Sequence, residues 1–93
     1  MKIKILERGK NELKFELEGE GHTFCNLLQK VLLESKDVEM AGYHVPHPLA
    51  ANPVVYVRTK RGKVPEKVLI EAAEKMKEMQ KEFMKAFNEA LKG

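Results

Sequence analysis

The sequence predicts an α+β fold in two layers, with one four-stranded, mainly antiparallel sheet and two helices on one face, in the order ββαββα. Three observations predict it. Two early segments alternate apolar and charged residues, a later run is continuously β-branched, and two further segments carry apolar residues at helical spacing.

Taken in order, Ile3 and Ile5, then Leu13, Phe15 and Leu17, alternate with Lys and Glu, the period-two pattern of strands with one wet face. Arg8-Gly9-Lys10-Asn11 lies between them with turn chemistry, so residues 2–8 and 12–18 read as a hairpin. Gly19 and Gly21 end the second strand. Thr23 then suits an N-cap, and the helix behind it runs to about Glu34. Its residues Phe24, Cys25, Leu27, Leu28, Val31, Leu32 and Leu33 cover more arc than one core-facing stripe requires. A helix apolar on nearly every side is buried on more than one side.

Ser35-Lys36-Asp37 stops that helix, and Val38–Val45 reads as a third strand. Val54-Val55-Tyr56-Val57 is the fourth, with the character of a central strand. Pro46, Pro48 and Pro53 stiffen the loop between them. Pro65 at a first helical position and Glu66 behind it open the last helix, although Val64 is a poor cap. Leu69, Ala72, Met76, Met79, Phe83, Ala86 and Ala90 recur at steps of three and four, and Met84, Phe87 and Leu91 widen the stripe near its end. A helix over 65–91 is about 40 Å long at ~1.5 Å per residue. A folded domain of this size has a diameter near ~30 Å. The last turns should therefore overhang their own sheet while still apolar.

The composition narrows the function. The 93 residues predict one domain, which at this size buries only about 60–65% of its unfolded surface and gains from a partner's. Net charge is +3, balanced over 1–21, −1 over 22–53 and +4 over 54–93. A single cysteine rules out an intrachain disulfide and fits a reducing, cytoplasmic setting. The start lacks the apolar core of a signal peptide, and no apolar run approaches the roughly 20 residues of a membrane span.

Four ligand-type residues, His22, Cys25, His44 and His47, form two pairs at x-x spacing and raise the question of zinc. Cys25 lies in an apolar helical face, where cysteine usually packs as a small hydrophobe, so no metal and no cofactor is expected. No nucleophile is paired with a base, and no glycine-rich phosphate loop occurs, so no catalytic residue is assigned. A small enzyme in which His22, His44 and His47 converge on a pocket stays as an alternative. So does a basic nucleic-acid-binding module using Arg58, Lys60, Arg61 and Lys63, although only Tyr56 supplies a nearby aromatic.

Two segments carry the most specific signal. The first is Glu20-Gly21-His22-Thr23-Phe24-Cys25-Asn26-Leu27-Leu28, and the second is Gly42-Tyr43-His44-Val45-Pro46-His47-Pro48-Leu49. This pairing resembles the subunit L family of archaeal RNA polymerase, the smaller alpha-like subunits, over essentially the whole chain. Gly21 departs from a common acid and Cys25 from a common Gly or Ala. The resemblance implies a single alpha-like dimerisation domain over 1–93 and a non-catalytic role in DNA-directed RNA polymerase. It also implies heterodimerisation with the larger alpha-like subunit, D, as a platform for subunits N and P and then the large catalytic subunits. DNA would be met only through the complex.

The apolar helices are where the sequence places that contact. Phe24, Leu27, Leu28, Val31, Leu32, Phe83, Met84, Phe87 and Leu91 are expected at the partner interface. The loop Pro46-His47-Pro48-Leu49 is the expected secondary contact.

Overall fold

A computed structural model describes residues 2–19, 21–46 and 52–92. Glu20 of the first motif, and His47, Pro48 and Leu49 of the expected contact loop, lie outside the described residues. The elements are β1 (Lys2–Arg8), β2 (Glu12–Glu18), α1 (His22–Glu34), β3 (Val38–His44), β4 (Val54–Thr59) and α2 (Pro65–Lys92). All strand pairs are antiparallel and the sheet order is β1-β2-β4-β3. The β-branched run of β4 is thus central, as its composition predicts.

Leu13, Phe15 and Leu17 of β2 stand opposite Val57, Val55 and the Pro53 carbonyl along β4. Their side chains share the face that both helices cover, with Cys25, Leu28, Val31, Leu32, Val68 and Ala72 from above. The opposite face carries Glu12, Lys14, Glu16, Tyr56 and Arg58, with Val54 opposite Glu16 as its buried apolar member, and the Tyr56 hydroxyl donates to Glu12 at 3.0 Å. One apolar face and one wet face are what period-two alternation requires.

Two bulges change the register. An extra residue between Ile5 and Glu7 shifts β1, so that Arg8 stands opposite Leu13 and joins the helix-side face. A second lies between Val38 and Met40 on β3.

The β4–α2 turn is tied down by side chains. Asn11 Nδ2 donates to the Lys60 carbonyl at 2.7 Å, and the buried Thr59 hydroxyl donates to the Lys63 carbonyl at 2.7 Å. Gly62 sits at φ 83°, where a side chain would be strained.

Helix α1 starts two residues earlier than a Thr23 cap would place it. Gly21 is the N-cap in extended conformation, without a side-chain cap bond, and its carbonyl accepts from Cys25 N–H at 3.2 Å. Thr23 is an exposed first-turn residue instead. The helix is also less uniformly buried than its composition suggests, since Thr23, Asn26, Lys30 and Leu33 form an exposed side.

Candidate protein-docking cleft

The two helices do not cover the whole sheet. They pack over β2, β4 and β3, and β1 is exposed at every one of its seven residues. Ile3 and Ile5 pair with Leu17 and Phe15, which puts their side chains on the helix-side face. They nevertheless stay 56% and 50% exposed. Between β1 and α2 an open apolar cleft of about 910 Å³ results. Its floor is Leu13, Phe15, Leu17 and Leu28, with Phe24 and Leu27 from α1 at one side. Helix α2 forms the far wall with Leu69, Ile70, Ala73, Met76, Met79 and Phe83. Among the described residues only Glu66, Lys77 and Gln80 interrupt the apolar lining.

Helix α2 continues past the cleft. Its 28 residues span about 42 Å at ~1.5 Å each, and every described residue after Met76 is exposed. The radius of gyration, 15.1 Å, exceeds the roughly 12 Å of a compact chain of this length because of that projection. Along it lie Phe83 (66% exposed), Met84, Phe87 and Leu91 (72% exposed). The Phe83 and Phe87 rings stack on each other at 6.1 Å between centroids. Cleft and projecting stripe meet at Phe83 and form one apolar surface.

The expected interface residues divide. Phe24 and Leu27 are half-buried at the cleft side, and Phe83, Met84, Phe87 and Leu91 are exposed on α2. Leu28 is buried but forms part of the cleft floor. Val31 and Leu32 require correction: they belong to the chain's own core, because that side of α1 is wedged between the sheet and α2. Ile3, Ile5, Leu69 and Ile70, which are not among those expected residues, also line the cleft. The apolar periodicity of Ile3, Ile5 and Leu69 is visible in the sequence, but only the strand order shows that β1 is an uncovered edge.

The other candidate residues do not assemble into a site. His22 and His44 lie on opposite sides of the sheet, since Tyr43, which contacts His22, faces the helices and His44 is its neighbour on an alternating strand. Their convergence on one pocket is thereby excluded. Cys25 is buried in the core, and among the described residues no three His, Cys, Asp or Glu side chains gather in a group able to hold a metal ion. Arg58 is on the wet face of β4, Lys60 and Arg61 are in the following turn, and Lys63 pairs with Asp37 at 3.8 Å. Pro46 is exposed just after β3. Among the described residues no helix is long and apolar enough to cross a membrane.

An open, non-polar cleft continued by a bare helical stripe defines a protein-association domain rather than a small-molecule site. Residues 12–86 match the model of the RNA polymerase Rpb3/Rpb11 dimerisation domain, and the chain belongs to that family. It is 43% identical over 93 residues to a protein named DNA-directed RNA polymerase subunit Rpo11 from Thermococcus onnurineus, covering 98% of both chains. A protein of the same name from Methanocella arvoryzae is 38% identical over 92 residues, covering 99% of both. The crystal structure of DNA-directed RNA polymerase subunit L from Thermoplasma acidophilum superimposes with a TM-score of 0.82 at 26% identity, over 95% of this chain and 86% of that one.

Proposed function

We propose that the chain is the smaller alpha-like, non-catalytic assembly subunit of DNA-directed RNA polymerase, acting in transcription in the cytoplasm. Its partner is the larger alpha-like subunit, D, which fills the cleft and covers the α2 stripe. The whole of residues 1–93 serves as one dimerisation domain. The observation that carries this reading is the continuous apolar surface from Ile3 and Ile5, across the cleft, to Leu91. Permanent partners bury roughly 2,000–5,000 Å² in interfaces that resemble a core. The heterodimer then gathers subunits N and P and the large catalytic subunits, with the segment from Pro46 to Leu49 as a secondary contact. DNA is reached only through the complex, and this chain needs no cofactor of its own.

The test is co-expression with the larger alpha-like subunit followed by sizing. The two chains should elute together, and Phe83→Asp should separate them while the circular dichroism of the isolated chain is unchanged. Co-elution that survives Phe83→Asp and Phe87→Asp together would remove the α2 stripe from the interface. No co-elution by the unaltered chain would remove the reading.

A further inference from the structure

The cleft carries one polar feature that burial of apolar area does not explain. Glu66, in the first turn of α2, lines it. Its Oε2 accepts from Arg8 at 3.1 Å, and its Oε1 is turned away from water with no hydrogen-bond partner among the described residues. A carboxylate oxygen without water or donor is costly, more so than a neutral acceptor. The Arg8 guanidinium is in place only because the β1 bulge brings that residue to the helix-side face. A single edge-strand cation thus satisfies half of the carboxylate.

We infer that Glu66 is the polar specificity determinant of this cleft, reading a Lys or Arg side chain on the partner segment that occupies it. The inference rests on the reading of the cleft as a heterodimer seat. The Glu66 side chain remains 36% exposed, so a rotation presents its carboxylate to a donor arriving in the cleft. Once a partner covers the site, water is excluded and an unpaired Glu66 becomes more expensive. A partner lacking the cation is therefore penalised, and one carrying it gains a charge-assisted bond. Lys77, eleven residues along α2, is the next charge on the lining and makes no ion pair among the described residues. The two stand about 16 Å apart along the helix at ~1.5 Å per residue. An occupant with a cation at one end and a carboxylate at the other fits in one direction only, so the pair also sets orientation.

The experiment measures affinity of the purified chain for the larger alpha-like subunit, with Glu66→Gln, Glu66→Lys and Arg8→Ala variants, each checked by circular dichroism. Glu66→Gln should weaken pairing about tenfold, as expected for a lost charge-assisted bond, and Glu66→Lys should weaken it further. The loss should shrink at high salt. Arg8→Ala removes the same internal bridge but keeps the carboxylate, so it should cost much less. Exchanging one cationic residue of the partner for Glu should rescue Glu66→Lys. Unaltered affinity in Glu66→Lys overturns the inference and leaves the heterodimer reading standing, as does an Arg8→Ala loss equal to that of Glu66→Gln. Absence of pairing by the unaltered chain overturns both.

Discussion

The Tyr43 hydroxyl lies 3.1 Å from His22 Nδ1, joining the end of β3 to the first residue of α1. The same hydroxyl donates to Asn26 Oδ1 at 3.1 Å, so one phenol oxygen ties together two residues a turn apart on α1. The two rings are tilted at 55° with centroids 5.8 Å apart. His22 and Asn26 come from the first motif and Tyr43 from the second, so the two separated segments meet in one bonded cluster that orients α1 on the sheet.

Tyr43→Phe keeps the ring and removes that bridge. Because the cluster is open to water, the cost should be about 1 kcal/mol or less, with a small fall in the urea midpoint and no change in slope. A loss several times larger would mean that the cluster does more than align the helix.

Core and stripe should separate in mutation. Leu17, opposite Ile3 and beneath both helices, is buried in the chain's own core. Leu17→Ala should cost about 2–5 kcal/mol in the isolated chain. Phe87→Ala, on the exposed stripe, should leave isolated-chain stability within about 0.5 kcal/mol. Its effect should show only in pairing with the larger subunit, measured by sizing or calorimetry.

Ile5→Glu tests the part of the surface that belongs to β1. The strand is an edge and the side chain is half exposed, so hairpin formation should survive. A charge placed within the apolar cleft should nonetheless weaken heterodimer formation by at least tenfold, about 1.4 kcal/mol. Retained affinity would restrict the interface to the helices.

Thr59→Val tests the latch beneath the β4–α2 turn. The buried hydroxyl donates to the Lys63 carbonyl, and Val keeps the shape without the donor. Loss of about 1 kcal/mol in chemical unfolding is expected, because the Lys63 carbonyl keeps its second, longer bond from Asn11 Nδ2 at 3.3 Å.

Tyr56 should titrate late. Its O–H donates to the Glu12 carboxylate, and that bond, then burial, then the Glu12 charge hold the phenol above its ordinary value of 10.0. Deprotonation breaks the bond, so its contribution is complete below the unfolded value and is lost as pH rises through the folded one. In a Tyr43→Phe background, absorbance at alkaline pH should report Tyr56 alone. Glu12→Ala should bring its midpoint back down.

Much of this protein was legible in its residues. Period-two alternation at Ile3–Ile5 and Leu13–Leu17 marked the hairpin, and Val54–Val57 marked the central strand. The steps from Leu69 to Ala90 marked a helix longer than its sheet. Each of these is a local signal, since periodicity and side-chain branching act within one segment.

What the residues alone could not decide was which segments become neighbours. Val31 and Leu32 carry the same chemistry as Phe24 and Leu27, yet one pair lies in the core and the other beside the cleft. The insertion of β4 between β2 and β3 leaves β1 as a bare edge. A single bulged residue turns Arg8 to the helix side, within reach of a glutamate fifty-eight positions away. Such outcomes depend on pairing between distant segments, whose free energy resides in contacts that exist only after the chain has closed on itself.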